Sequence, residues 1–500
     1  MIGPWSPLVS MRDAQVAAVV SLSWAGRVWR LATRELTGTD VHALPGLLEA
    51  PDIDEEISVQ PGGDVGVSVP IAVVLPAVSV AAYLAAGHDL ATATAEIAIV
   101  WHRGGVLLHS WAARHVVADG DLTDPQHGDP SLPAGWIGAT VEDSPYRVAQ
   151  PIVRRTWEVS ASTWPSAPDF GARYPLVLGA PDPEAAGEGP PAPVVETAAG
   201  SNSLAVVSVG WCAASAVTLI DSAGTTAALD VSYQADGLGQ TVAVVTLTGS
   251  GLDLSAGATY TTAWAAGPAL APMGGSGPVH LAAYLLALGG ADLDLPEWAR
   301  VAELVGLEAG GYVDDPDSEA WEVARDLLSA LPVSTRRARD GWAPVLLDPA
   351  VAEGQAVGTW REGGPWRRTS AWAGTGDSRI TRVEVSSDAG IITAGPGSTR
   401  DAGLPAAWAR ALPRQQDGSA DPAWSWSATL DFRALAWLAR IGALGWEASA
   451  WQAPAQWGTA RPGEWLRLVE DDGTDRHALV IRRSLSGGVW DYTLIRPAGR

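Results

Sequence analysis

The sequence contains no lysine, and asparagine and cysteine occur once each, as Asn202 and Cys212, beside two phenylalanines. Each scarcity excludes something. Without lysine there is no Walker A loop, whose lysine must reach the β- and γ-phosphates. A single cysteine builds neither a disulfide framework nor a cysteine-ligated zinc site, so cysteine usage leaves the redox compartment open. Positive charge is also short: 32 basic residues, all arginine, stand against 56 acidic ones, for a formal charge of −24. Affinity for a polyphosphate needs clustered basic side chains that release counterions, and no such cluster is present.

What replaces the missing residues follows one pattern. Arginine, alanine, glycine, proline and tryptophan have GC-rich codons; lysine, asparagine and phenylalanine do not. The 25 tryptophans can therefore fill core positions that phenylalanine takes elsewhere, since both are large apolar aromatics. A set of sugar-stacking tryptophans is the competing reading, and their scatter over the whole chain favours the core. With 500 residues and 47% hydrophobic composition, packed cores are expected. A span of roughly 100–200 residues per domain gives about three or four domains.

No membrane span is expected. The uncharged run VGVSVPIAVVLPAVSVAAYLAAG, Val65 to Gly87, is long enough to cross a bilayer, but Pro70 and Pro76 break it and its first half is β-branched. It reads as a buried strand, then a short helix from Ala77 to Ala86 stopped by Gly87. A secretory signal is not expected either: the N-terminus lacks a positive region, and Val20, Leu22 and Trp24 alternate as in a strand.

From Val16 to about Pro151 the pattern is strand-like. AVVSLSWAGRVWRLAT turns at Gly26, and Ala95 to Arg114 reads as a hairpin around Arg103, Gly104 and Gly105. Ala180 to Pro193 has the proline and glycine content of a linker. Short apolar strands then recur up to about residue 250, as in a small all-β module. Helical signals follow: Val279 to Leu288, Pro296 to Leu307 and Glu319 to Leu331, with prolines at their edges. The last 150 or so residues return to strands, with one helix around Asp431 to Leu444. No fixed-period repeat is present.

Candidate chemistry is thin. Cys212 with His280 is a conceivable thiol-peptidase pair, which would suit a wall-degrading hydrolase, but WCAAS lies in an apolar alternating strand, so a buried structural thiol is expected at Cys212. DGDLTDPQHGD places Asp119, Asp121 and Asp124 at calcium-like spacing without the glycine and terminal glutamate of an EF-hand, so a polar turn is expected. His42, His88, His102, His109, His115, His127, His280 and His477 show no metal-ligand spacing. The densest carboxylate cluster, Asp314, Asp315, Asp317 and Glu319, precedes a helix. Asp315 before Pro316 fits an N-cap with proline at N1, and Trp321, Ala324, Leu328 and Leu331 form one apolar stripe. The expectation is no catalytic residue, no metal, no cofactor and no enzymatic activity.

Several phrases, in order along the chain, resemble tail hub (baseplate hub) proteins of long-tailed phages. LAAGHDLATATAEIAIVWHRG and DLTDPQHGDPSLPAGWIGATVED resemble their N-terminal barrel. TWPSAPDFGARYPLVLGAP resembles the connecting segment, ADGLGQTVAVVTLTGS the middle β-module, and AGGYVDDPDSEAWEVARDLLSALPVSTRRARDGWAPVLLDP the helical segment. The resemblance implies a mainly β, multidomain chain: a tail-tube-like barrel over residues 1–170, a linker over 171–195, an inserted all-β module over 196–277, a helical segment over 278–350 and a second barrel-like domain over 351–500. It further implies a homotrimeric hub at the distal end of a virion tail. Expected partners are the tail tube protein, the distal tail protein ring, the tape measure protein and a spike or fibre, with DNA passing the lumen unbound.

Overall fold

The computed structural model describes residues 14–58, 67–76, 78–143, 273, 277–306, 319–329, 331–338, 341–374, 446–454, 460–486 and 489–498. It also gives the backbone of further strands at 176–179, between 205 and 264, at 310–313 and between 383 and 425.

Strand β1 (Gln15–Trp24) runs antiparallel to β2 (Arg27–Ala32). Ala25 and Gly26 between them sit at φ 51° and 72°, the left-handed pair that a tight type I′ hairpin turn requires. Six more barrel strands are β3 (Leu36–Thr37), β4 (His42–Pro45), β6 (Val67–Val73), β7 (Thr94–Arg103), β8 (Val106–Leu107) and β9 (His115–His127). With β10 (Ile137–Asp143) they form one sheet in the order β1-β2-β4-β3-β8-β7-β9-β10-β6, and β1 also pairs with β7. The short strand β5 (Ile53–Glu56) leaves this sheet altogether.

The sheet closes twice. One ring is β1-β2-β4-β3-β8-β7. The other closes through the segment after β4: the Gly46 and Leu47 amides donate to Ala32 O at 3.0 and 3.1 Å, and the Leu48 amide donates to Ala72 O at 3.0 Å. That segment thereby bridges β2 to β6. The alternation of β1 serves both rings. Val20 and Leu22 enter the larger core with Leu31, Val69, Ile97 and Val141, while Val19 enters the smaller one with Ala32, Leu36, Ala43 and Val100. A strand buried on both faces must be apolar at nearly every position, as VAAVVSLSW is.

After β6, the short helix α1 (Val80–Ala85) is capped by Ser79, whose hydroxyl accepts from the Ala82 amide. The sequence places this helix from Ala77; the Ser79 cap makes it start later, and Gly87 at φ 90° lies just past its end. Among the described residues no helix is long and apolar enough to cross a membrane.

DGDLTDPQHGD is a correction to the expected polar turn. It is most of β9, paired with β7 and β10. Asp124, at φ 47°, lies where the register slips between Gly138 and Thr140, so a bulge absorbs the turn-like residues without ending the strand.

The expected linker carries a strand, β11 (Leu176–Gly179). The middle module is a five-stranded antiparallel sheet of β12 (Ala205–Ser208), β13 (Val217–Ile220), β14 (Thr226–Ala235), β15 (Thr241–Thr246) and β16 (Thr261–Trp264), ordered β12-β15-β14-β13-β16. Helices α2 (Pro278–Leu288) and α3 (Leu295–Val305) follow, then β17 (Gly310–Val313), which pairs with β11. Asp294 caps α3 by accepting from the Glu297 amide at 3.3 Å, with Pro296 in the first turn. Asp294→Ala should therefore cost about 0.5–2 kcal/mol in denaturant unfolding.

Helix α4 (Ala320–Ser329) falls within the span expected from Glu319 to Leu331. The Glu319 carbonyl accepts from the Glu322 and Val323 amides at 3.1 and 3.3 Å, at the start of the helix. Asp314, Asp315 and Asp317 lie outside the described residues. The stripe itself is present: Ala324, Leu328 and Leu331 are buried, Trp321 packs beside them, and all join Leu285, Trp298 and Val301 in one core.

A hairpin, β18 (Val333–Arg337) and β19 (Trp342–Leu346), is shared between two cores. Val333 and Leu346 face the helices; Val345 and Leu347 face Trp446, Trp465, Leu479 and Ile495 of the C-terminal sheet.

That sheet contains β20 (Gly358–Arg361), β21 (Arg367–Arg368), β22 (Ala373–Gly374), β27 (Trp446–Pro454), β28 (Trp465–Val469), β29 (Asp475–Ser486) and β30 (Val489–Pro497). Its order is β20-β28-β29-β30-β27-β21, with β22 on β27, and Glu362 bridges to Trp366 between the two end strands. The sheet therefore curls toward closure, and a short α5 (Ala352–Gln355) leads into it. The intervening strands β23 (Val383–Ser387), β24 (Gly390–Ala394) and β25 (Arg414–Gln416) form a separate small sheet, and β26 (Trp424–Ser425) pairs with β17. The helix expected at Asp431 to Leu444 lies outside the described residues. The chain is mainly β and multidomain, with a helical insertion.

Gly463, just before β28, has φ +84°, and a Cβ there would lie 2.3 Å from Arg336 Cδ and 2.6 Å from Val345 Cγ2. Gly463→Ala should lower stability by more than about 1 kcal/mol, read as a shift in unfolding midpoint.

Candidate functional site

The feature that organises the molecule is the seam where β5, from the N-terminal half, joins β29. Residues 53–56 pair with 482–485, Glu55 opposite Arg483 and Asp54 opposite Ser484, and the Ile57 amide extends the ladder to Ile481 O at 2.8 Å. One edge of β29 is thus used twice, by β28 along its first half and by β5 along its second.

A sealed polar array sits beneath this ladder. Arg483 is fully buried and donates through Nε to Glu55 and through Nη1 to Ala460 O at 2.9 Å. Its Nη2 lies 2.7 Å from His115 Nε2, and Arg461 Nη2 approaches the same ring from the other side, 3.1 Å from Nδ1. The Arg461 amide donates to Glu464, which lies 3.6 Å from Arg336. Trp490 stacks under the Arg483 guanidinium at 4.5 Å. Burial, reinforced by the nearby Arg483 charge, pulls the Arg461 guanidinium down to about 10. Burial likewise raises the Tyr492 hydroxyl well above its usual range.

Two further carboxylates act as anchors. Asp143, at the end of β10, accepts from Trp342 Nε1 at 3.1 Å and from the Asp119 amide at 2.9 Å, and pairs with Arg337 at 3.2 Å. It ties the β18–β19 hairpin to the barrel. Glu470 accepts from Trp372 Nε1 at 3.0 Å and pairs with Arg368 and Arg496 within the C-terminal sheet.

Among the described residues, those that the sequence nominates for chemistry are not brought together. Asp119, Asp121 and Asp124 are strung along β9, and among the described residues no group of His, Cys, Asp or Glu is placed to hold a metal. His280 is half-buried on α2, where burial lowers its pKa; Cys212 lies outside the described residues. His102 and His109 accept from the amides of Gly105 and Trp101, and burial lowers both. No tryptophan whose side chain is described is exposed: Trp298, Trp342, Trp451, Trp465 and Trp490 are nearly inaccessible and the others are buried or half-buried.

Sequence reasoning missed Glu55, His115, Arg461 and Arg483, and the cause is local. From Val480, strict alternation would place Arg482 on the Val480 face and Arg483 on the opposite one. The register of β29 on β30 slips between Val480 and Arg482, which exchanges the two. Arg482 lands on the surface, half-exposed and paired with Asp54, and Arg483 inside.

No family model matches the chain, and no curated protein matches it. Among solved structures it is similar to a chain in a structure described as "Virion of native gene transfer agent (GTA) particle". Sequence identity is 16% and the TM-score 0.24, over 52% of this chain and 83% of that one.

Proposed function

We propose that the protein is a structural component of a phage-like virion, serving as the hub at the distal end of a tail. The observation that carries this reading is the presence in one chain of two curled β-domains, a closed N-terminal barrel and a barrel-like C-terminal sheet, held together by a shared strand. The ordered phrases in the sequence support the same assignment. Two barrels per chain allow a homotrimer to present a pseudo-sixfold ring to a hexameric tube. The middle β-module and the helices are insertions outside that ring, placed to meet a distal tail ring, tape measure and spike or fibre proteins. No reaction is assigned to the chain.

The formal charge of −24 fits a channel that DNA passes without adhering, because like charge along the wall repels the phosphate backbone. The alternative of a carbohydrate-binding adhesin needs tryptophan faces open to solvent, and every tryptophan whose side chain is described is buried or half-buried. A density map of the assembled tail tests the proposal. We expect a threefold ring of this chain at the tube end with an acidic lumen; a basic lumen or a position outside the tail axis would overturn it. Mass measurement of the purified chain together with tube protein should give a trimer, and a stable dimer would count against the hub.

A further inference from the structure

The helical insertion, its hairpin and the C-terminal sheet leave between them a cleft of about 260 Å³. Glu297 and Arg300 line it from α3, Arg336 from β18, Val345 from β19, and Glu464 and Trp465 from the entry to β28. Its volume lies below the roughly 300–1,000 Å³ of sites that take drug-sized ligands. An occupant must be short.

The two arginines of the cleft differ in what they already hold. Arg300 is engaged: Nε and Nη2 both donate to Glu297, at 3.2 and 2.7 Å. Arg336 lacks such a partner. The carboxylate it approaches, Glu464, stands 3.6 Å away, beyond hydrogen-bond reach, and one Glu464 oxygen already accepts from the Arg461 amide at 2.9 Å. The Arg336 side chain is only 13% exposed, so little bulk water reaches its fork of five donors. Gln355, on the α5 side of the cleft, adds another unmet donor: its Nε2 is sealed and finds no acceptor among the described residues. Enclosed donors in this state favour an acceptor-bearing ligand.

We propose that the cleft binds a small aliphatic monocarboxylate, with its carboxylate on the Arg336 guanidinium and its short stem against the buried side chains of Val345 and Trp465. Charge selects the class. Glu297 and Glu464 stand among the lining residues, so a phosphate or a dicarboxylate would bring a second negative charge against them. One unfilled guanidinium matches one charge, and a planar carboxylate matches the guanidinium fork in shape. The bound acid touches the hairpin and the C-terminal sheet together. It therefore steadies their joint by mass action. The site stands whether or not the chain is a tail hub.

Isothermal titration of the full chain with butyrate, at constant ionic strength and about pH 7, where the acid is ionised, tests the site. Butyramide, of the same shape without the charge, is titrated beside it. We expect butyrate to saturate one site per chain, half-complete on the order of 1 mM, a range open to a ligand of so few atoms. Butyramide should not bind over the same range, and succinate and phosphate should bind more weakly than butyrate. Amide hydrogen exchange places the site: residues 342–346 and 463–466 should slow on adding butyrate more than residues 97–100 in the barrel. Arg336→Gln should weaken butyrate binding by about tenfold or more. Absence of saturable butyrate binding, equal binding of butyramide, or a folded Arg336→Gln chain that binds unchanged would overturn the proposal. Should Arg336→Gln not fold, the exchange map of the wild-type chain decides, and slowing confined to residues away from the cleft refutes the site.

Discussion

Glu55→Ala is expected to destabilise the protein by about 3–5 kcal/mol, a large share of the stability of most domains. Glu55 is the carboxylate partner of Arg483, and the two side chains are 5% and 0% exposed. Removing one member of a buried pair leaves the other charge in a sealed site, which costs far more than the pair contributes when intact. The adjacent surface pair gives the contrast. Arg482 and Asp54 are about half-exposed, so Asp54→Ala should cost below about 1 kcal/mol and less still in high salt. Denaturant unfolding of both variants checks the pair of expectations. Equal losses would mean that Glu55 is not buried as the ladder places it. Hydrogen exchange should further localise the Glu55→Ala loss to residues 53–57 and 482–485, since those strands carry the seam.

Asp143→Ala is expected to cost about 3–5 kcal/mol for the same reason at a different joint. The Asp143 carboxylate, 6% exposed, holds the Arg337 guanidinium, 7% exposed, and also takes the Trp342 indole N–H and the Asp119 amide. Its loss leaves a buried cation without that carboxylate, and two donors that must find other acceptors. Trp342 is itself linked to the helices, because its carbonyl accepts from Trp298 Nε1 at 2.8 Å. The expected outcome is therefore regional: residues 278–346 exchange and are cleaved by protease sooner than the barrel, and the unfolding transition broadens or splits. A cooperative single transition with unchanged midpoint would show that apolar packing alone holds the hairpin in place.

Much of the local structure was legible in the chain. Val20, Leu22 and Trp24 alternate and form β1; the Ala25–Gly26 turn and the hairpin at Gly104 and Gly105 stand where turn chemistry puts them. Prolines and glycines bound α2 and α3. These succeed because backbone sterics and amphipathic period act within a few residues. DGDLTDPQHGD misled for the complementary reason: turn-forming residues were overridden by two neighbouring strands and absorbed in a bulge. The helix expected from Glu319 starts at Ala320, where the apolar stripe of Trp321, Ala324 and Leu328 marks it.

The sequence by itself determined a β-rich chain with a short helical insertion, a strong acidic balance and tryptophan used as core filler, since composition and periodicity act locally or additively. Only the tertiary structure decided which charges matter. Glu55, His115, Arg461 and Arg483 are separated by up to 428 positions along the chain, and no periodic signal joins them. One slipped register on β29 chose Arg483 over Arg482 for the interior, because a single extra residue in a strand reverses every side chain beyond it.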